Sequence, residues 1–333
     1  MANDRLLVLG AGSWGTALSI VLARNGHAVD LWDVDSTHIE NLTRDRVNNR
    51  HLPGVAFPAA LQPRKALEPL LGEARAVVIA VPCDGLHEVL RRLEGRLRTD
   101  VKFCLACKGL EPGTHALSHA IVRDHLGEAP LAVLSGPSFA AEVAAGLPTA
   151  VTIASDDPAV AAEFAAFFHN EVFRVYTHND LIGVQIAGAL KNVMAIAAGI
   201  ADGLGFGANT RAALITRGLA EITRLGVAMG ARQETFMGLA GIGDLVLTCT
   251  DNQSRNRRLG LALASGKNLA DARREIGQAI EGLRTAEALR SLAAEYRVEM
   301  PIGEQIYKVL SGEISPQAAV QQLLSRDPRN EQD

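Results

Sequence analysis

The stretch Leu6-Leu7-Val8-Leu9-Gly10-Ala11-Gly12-Ser13-Trp14-Gly15 decides how the first half of this chain is read. Its four consecutive apolar residues suit a strand covered on both faces. Three glycines follow at the spacing G-x-G-x-x-G, and a helical pattern then runs to Gly26, a natural helix stop. The spacing alone is a weak signal. A strand before it and a helix after it supply the context that a dinucleotide fingerprint needs. Gly10 permits the tight turn, Gly12 lets a pyrophosphate approach the backbone, and Gly15 lets helix and strand pack closely. Ser13 and Trp14 open the helix, whose free amides meet the diphosphate. A glycine turn without a ligand is the plain alternative.

Outward from this motif, short apolar runs alternate with helical patterns. Strands are predicted at 6–9, 29–32, 76–81, 101–106 and 131–134, and two more at 150–154 and 173–176. Helices are predicted near 16–25, 86–96 and 115–126. Such alternation implies a mainly parallel, doubly wound sheet with right-handed crossovers, a Rossmann-type domain. After about Leu181 the strand signals fade. Helical patterns follow at 182–201, 211–229, 269–276, 286–295 and 304–310. The chain is therefore α/β at its N-terminus and all-α at its C-terminus, with domains expected at 1–180 and 181–333. The polar tail from Arg326 onward is expected to fray.

Composition narrows the function classes. The 333 residues are 48% hydrophobic and 21% charged, as in an ordinary folded protein of about two domains. A net charge of −4 offers no general attraction to nucleic acid or to anionic membrane, so any anion site must be built locally. The first residues lack the ordered basic, apolar and small-residue segments of a signal peptide. The apolar region 182–208 is interrupted by Lys191 and Asp202, which suits a buried core helix better than a membrane span. A cytoplasmic location is expected. Cys104 and Cys107 form a C-x-x-C inside a strand-like run, so their thiols should point to opposite faces. Cys83 and Cys249 have no ligand-like neighbours in sequence. No metal site is expected, since none of the nine histidines forms a ligand-like cluster.

Asp33 stands at the end of the second strand, where the fingerprint places an acid on the adenine ribose. Asp35 adds negative charge, and no basic residue stands at 33–36. This favours NAD(H) and leaves NADP(H) as the second choice, because carboxylates repel a 2′-phosphate. Arg46 and Arg50 are the residues able to fold over the adenosine and reverse that preference. A solvated acid at a strand end is the plain alternative for Asp33.

Further along, Lys191 lies inside one of the most apolar helices of the chain, where a lysine must snorkel, pair or face a cleft. Desolvation lowers a lysine's pKa toward the range useful for proton exchange. Lys108 follows a strand end that should line the ligand crevice, as do Gly136 and Ser138. Ser138 could instead cap the helix that begins near Phe139. Asp244 sits among glycines in Gly241-Ile242-Gly243-Asp244. Ser254-Arg255-Asn256 reads as a polar loop feeding a helix start, a coherent phosphate cradle. Arg257 and Arg258 are left as a solvated face.

Several segments together resemble the NAD(P)-dependent glycerol-3-phosphate dehydrogenase family in its bacterial form. They are GAGSWGTALS at the start, CKGL at 107–110, SGPSFAAEVAAGLPTA at 135–150, GALKNVMAIAAGIADGLGFGAN at 188–209 and GLAGIGDLVLTCTDNQSRNRRLG at 238–260. The resemblance covers nearly the whole chain. It implies reduction of dihydroxyacetone phosphate to sn-glycerol 3-phosphate, a homodimer, and a role in supplying phospholipid synthesis. It implies Lys191 as the general acid/base, with Lys108, Gly136, Ser138, Asp244, Ser254, Arg255 and Asn256 on substrate. It places Gly10, Gly12, Ser13, Trp14, Gly15, Asp33, Lys108, Ala140, Arg255 and Glu281 on the cofactor. Asn192 would orient substrate or lysine, or simply hydrogen-bond across the domain junction. The rival readings are a hydroxyacid or 6-phosphogluconate-type dehydrogenase, whose arginine would hold a carboxylate, and a catalytically idle NADH-binding sensor.

Overall fold

The computed structural model describes residues 5–327 and residue 330. Among the described residues ten strands are formed: β1 (Arg5–Leu9), β2 (Ala28–Trp32), β3 (Val47–Asn48), β4 (Leu52–Ala56), β5 (Leu61–Arg64), β6 (Ala74–Ile79), β7 (Lys102–Leu105), β8 (Leu131–Ser135), β9 (Thr149–Ala154) and β10 (Phe173–His178). Eight build one sheet in the order β10-β9-β8-β7-β6-β1-β2-β5, while β3 and β4 pair separately. Every neighbouring pair in the large sheet is parallel except β8 and β9. The chain leaves β1 toward β2 and later returns to β6 on the other side of β1. That reversal opens a crevice at the C-terminal ends of β1 and β6, where ligands bind in open α/β sheets.

Gly10 leaves β1 with φ +105°, and a Cβ there would stand 2.9 Å from the Ala80 carbonyl carbon. Gly15 is tighter still, since a Cβ would fall 1.9 Å from the Gly10 oxygen. These contacts lock the helix Ser13–Arg24 onto the sheet. Apolar strands buried on both faces form two cores, one on each side of the sheet.

Beyond His178 the described chain is helical. The helix Leu181–Gly203 is the axis of this half, and helices Ala208–Ala228, Asp244–Thr250, Arg255–Ala264, Glu281–Glu295 and Pro301–Leu310 pack around it. It is long and apolar enough to cross a membrane, but 94% of its apolar window is buried inside the protein, so it is a core helix here. It meets Arg255–Ala264 through two glycines. A Cβ on Gly199 would lie 2.1 Å from the Arg257 oxygen, and one on Gly260 2.1 Å from the Ile196 oxygen. Glu221 fastens a more distant corner. Its carboxylate accepts from the amides of Ile302 (2.8 Å) and Gly303 (3.2 Å), at the start of Pro301–Leu310.

Three strands, β3, β4 and β5, and the helices Ser36–Asp45, Pro158–Phe168 and Pro316–Leu324 lie outside the sequence expectations. Most of the expected frayed tail lies outside the described residues, although Arg326 pairs with Glu299 at 3.3 Å.

Candidate active site

The glycine-rich loop is pinned by three side chains. Asp33 Oδ2 accepts from the Ala11 amide at 2.7 Å, and the Ala11 carbonyl accepts from Asn48 Nδ2 at 2.9 Å. His38 Nε2 meets the same carbonyl at 3.1 Å. Asn48 and His38 were not legible as loop anchors, because their partner is a backbone atom far away in sequence. Asp33 Oδ1 accepts from the Asp35 amide at 3.0 Å, which leaves only part of its acceptor capacity for a ribose. Asp35 caps the helix Ser36–Asp45 by accepting from the His38 amide, which, with Arg50 at 3.1 Å, holds its carboxyl below the usual range. Arg46 is turned elsewhere, lying over the Phe57 ring and donating to Pro58 at 2.8 Å.

This loop fits a dinucleotide. The helix Ser13–Arg24 starts at Gly12 without a side-chain cap, so no side chain claims its first amides. A Cβ at Gly12 would meet nothing within 4 Å, leaving room for a close approach. The buried Trp14 Nε1 has no hydrogen-bond partner within the protein. Ala140 begins the short helix Ala140–Ala145, which packs on Ser13–Arg24.

At the junction of sheet and helices lies a buried charge cluster. Lys191 Nζ donates to Asp244 Oδ1 at 2.5 Å and to Thr248 Oγ1 at 2.9 Å. Lys108 Nζ donates to Asp244 Oδ2 at 2.8 Å and to the Gly136 carbonyl at 2.9 Å. Asp244 is thus shared by two lysines from opposite halves of the chain. Burial pushes its carboxyl up, but Lys108 and Lys191 hold it below the usual range. Burial pulls Lys191 down to about 8 against the opposing pull of Asp244.

Local backbone explains how Asp244 arrives there. The turn Leu239–Gly243 is non-helical at Gly241, where a Cβ would fall 2.1 Å from the Phe236 oxygen. Asp244 then opens the helix Asp244–Thr250, and Thr248 follows one turn later on the same face. Thr248 was missed in the sequence, although D-x-x-x-T at the start of a helix places both on one side.

Gly136 has φ +144°, and its carbonyl accepts from Lys108 Nζ. Ser138 donates to the same carbonyl at 3.0 Å and does not cap the following helix, whose N-cap is Phe139 without a side-chain bond. The capping alternative for Ser138 is therefore corrected.

The polar loop does feed a helix. Ser254 caps Arg255–Ala264 by accepting from the Arg257 amide at 3.2 Å. Asn256 is buried, donating to Asn192 Oδ1 at 2.9 Å and accepting from the Gly282 amide at 2.9 Å. Asn192 thus bonds a side chain across the helices. Burial lowers the Arg255 guanidinium, and Glu281 opposes that shift. Glu281, itself pushed up by burial, opens the helix Glu281–Glu295 beside Gly109, where a Cβ would stand 3.3 Å from Oε2. Arg257 is no solvated face. It is buried, pairs with Asp202 at 2.5 Å and donates to Asn252 at 3.0 Å, whereas Arg258 is exposed.

Cys107 lies beyond the end of β7 rather than within it, and its neighbour is Cys83, a proximity that sequence spacing hid. His87 and His125 also meet, at 2.7 Å, each backed by a glutamate, Glu111 and Glu94. Among the described residues no group of three or more has the arrangement of a metal site.

Comparison with known proteins gives a consistent picture. Residues 5–161 match the family profile described as NAD-dependent glycerol-3-phosphate dehydrogenase N-terminus, and residues 180–321 match its C-terminus. A glycerol-3-phosphate dehydrogenase [NAD(P)+] of Nitrosococcus oceani is 54% identical over 330 residues, covering 99% of this chain and 96% of the relative. That of Shewanella amazonensis is 52% identical over 98% of this chain and 97% of its own length. The crystal structure of glycerol-3-phosphate dehydrogenase from Coxiella burnetii superposes with a TM-score of 0.94 at 47% identity, covering 98% of this chain and all of that one.

Proposed function

The chain belongs to the NAD-dependent glycerol-3-phosphate dehydrogenase family, and from that premise we propose how its residues do the work. It is an oxidoreductase that reduces dihydroxyacetone phosphate to sn-glycerol 3-phosphate with NAD(P)H. The observation that carries the residue-level reading is the Lys108–Asp244–Lys191 cluster, buried where the crevice of the sheet meets the helical half.

When bound, the reduced nicotinamide supplies hydride to the substrate's carbonyl carbon. Lys191 protonates the carbonyl oxygen, and in the reverse direction it takes that proton back. A lysine with a pKa near neutrality suits both tasks. Asp244 holds the Lys191 ammonium in place and keeps it charged. Lys108, tied to Gly136 and Asp244, presents a second positive charge to the substrate oxygens. Thr248 fixes the direction of the Lys191 amine.

Arg255 binds the substrate phosphate, helped by Ser254, Asn256 and the amides at the start of Arg255–Ala264. Ser138 and Gly136 complete the substrate wall. On the cofactor side, Gly10, Gly12, Ser13, Trp14 and Gly15 hold the diphosphate and Asp33 the ribose. Ala140, Lys108, Arg255 and Glu281 line the approach of the nicotinamide.

The domains are taken as 1–180 and 181–333, a division supported by the end of the sheet at His178 and by a helical core drawn almost entirely from the second half. A cytoplasmic homodimer that supplies phospholipid synthesis completes the reading. Purified enzyme assayed with dihydroxyacetone phosphate, with NADH and NADPH in separate reactions, tests the activity. Absence of turnover with both cofactors would overturn it.

A further inference from the structure

A second group of nucleophilic side chains adjoins the crevice. Cys83 starts the turn after β6, and Cys107 stands two residues past the end of β7. Both sulfurs reach one hydroxyl, that of Ser118, from Cys107 at 3.3 Å and from Cys83 at 3.7 Å. Sharing that hydroxyl, the two thiols are close enough for each to alter the other's proton affinity. Ser118 is the first residue of the nine-residue helix Ser118–Leu126, whose N-terminus has no side-chain cap. The partial positive charge of a helix start favours a nearby thiolate.

The two thiols differ in the way an attacking and a resolving pair do. Cys107 is partly exposed, and the proximity of Cys83 and Ser118 holds its thiol below the usual range, against burial. Cys83 is 4% exposed and is raised by its bond to Cys107 and by burial. Cys104, the sequence partner of Cys107 in C-x-x-C, is fully buried in the sheet.

We propose that Cys83 and Cys107 are a modification site, converted by a peroxide into a reversible disulfide that silences the adjacent crevice. The Cys107 thiolate attacks one peroxide oxygen, the O–O bond breaks, and hydroxide leaves, giving Cys107 sulfenic acid. The Cys83 sulfur then displaces the sulfenic oxygen. Its proton leaves with that oxygen as water. Two thiols lose two electrons in all, and one peroxide gains them. A thiol reductant reverses the bond by exchange.

The link to catalysis is the segment 107–109. Lys108 follows Cys107 directly. Gly109 is wedged between the two elements, for a Cβ there would stand 3.0 Å from Cys83 Sγ and 3.3 Å from Glu281 Oε2. Joining the sulfurs draws Cys107 toward Cys83 and shifts Lys108 off Gly136 and Asp244. The silencing rests on the proposed role of Lys108, whereas the bond itself does not.

The test uses the full-length reduced enzyme and hydrogen peroxide. A peptide joining Cys83 to Cys107 is expected in the digest before reduction, with turnover lowered about 10²-fold, as for a displacement of about 1 Å at the site, and restored by dithiothreitol. Cys83→Ser is expected to give a trappable sulfenic acid at Cys107 and no cross-link, and Cys107→Ser neither. Absence of the joined peptide in the wild type overturns the site. A quantitative cross-link with unchanged turnover overturns the silencing. Neither outcome bears on Lys191, which is tested by its own pH profile.

Discussion

Asp244 receives Lys191 on one carboxylate oxygen at 2.5 Å and leaves its other oxygen to Lys108 at 2.8 Å. Two cations around one buried anion leave the cluster with a net positive charge facing the crevice. That suits an oxyanion or a phosphate ester. It also makes the Lys191 proton easier to release than in an isolated ion pair, since Lys108 repels it.

The pH profile follows from that release. With Lys191 near 8, kcat/KM for ketone reduction should fall as pH rises through about 8, because reduction needs the protonated amine. Oxidation of glycerol 3-phosphate should rise through the same range. Lys191→Met should lower turnover by about 10²–10⁴ while NADH binding persists. Asp244→Asn removes the partner that keeps Lys191 charged, so the reduction limb should move to lower pH. Limbs unmoved by Asp244→Asn would dissociate the pair.

Arg255 supplies a second prediction. Charge-assisted bonds to phosphate are each worth about 1.5–3 kcal/mol. Arg255→Ala should raise KM for dihydroxyacetone phosphate and reduce discrimination against unphosphorylated dihydroxyacetone. Equal proportional losses on both substrates would remove the phosphate role.

Cofactor choice turns on the loop after β2. Asp33 and Asp35 disfavour a 2′-phosphate, and Arg46 is held on Phe57 and Pro58, so NADH should be preferred. Arg50 already sits on Asp35 and is the cation closest in role to a 2′-phosphate partner. Asp33→Ser should raise the NADPH:NADH ratio of kcat/KM, and should also lower the NADH value, since Asp33 anchors the Ala11 amide. Measurements at two salt concentrations separate charge from anchoring. A wild-type preference for NADPH would sink the argument.

Glu221 makes stability depend on pH. Burial raises its carboxyl from 4.5 to about 7. The folded state therefore holds a proton that the unfolded chain has released, so this contribution is full below the unfolded value and is lost as pH rises through about 7. The loss is on the order of 3 kcal/mol. Glu221→Gln should flatten denaturant midpoints between pH 5 and pH 8, taken as roughly the flanks of that interval. A variant as pH-dependent as the wild type would assign the effect elsewhere.

The glycine crossing gives a packing prediction. Gly260→Ala places a methyl against the Ile196 carbonyl, where only backbone movement relieves the contact. Overpacking of this kind costs about 1–3 kcal/mol. Chemical denaturation reads it directly, and an unchanged midpoint would mean that the helices separate freely.

The parts of the fold that announce themselves in sequence are those with a strong period or a glycine signature. β1, β2 and the glycine loop were legible because apolar runs and turn residues alternate there. β5 was not, since Leu61-Gln62-Pro63-Arg64 is short, polar and interrupted by proline, a composition tolerated because it is an edge strand. The reversal of β9 was invisible because a buried strand has the same composition in either direction. Helices Pro158–Phe168 and Pro316–Leu324 did carry a signal, a capping Asp157 or Ser315 followed by proline, that went unread. At the site, Lys191 stood out as a charge in an apolar helix. The tie between Lys108 and Asp244 did not, because those two residues are 136 positions apart along the chain. The Cys83–Cys107 contact was hidden for the same reason.

The helix Leu181–Gly203 has a consequence for biosynthesis. It leaves the ribosome before the helices Ala208–Ala228, Arg255–Ala264 and Glu281–Glu295 that will cover it. For that interval a segment of membrane-spanning length and apolarity is bare to the cell's insertion machinery. Near its midpoint stands Lys191, and a lysine at the centre of an inserting helix disfavours partition into lipid by about 2.5–3.5 kcal/mol. The side chain proposed to move the proton thus also disfavours membrane insertion of the unfinished chain. Neutralising it with an apolar residue alters both properties at once, so a Lys191→Met preparation should be fractionated for membrane-associated chain before its lost turnover is read as chemistry.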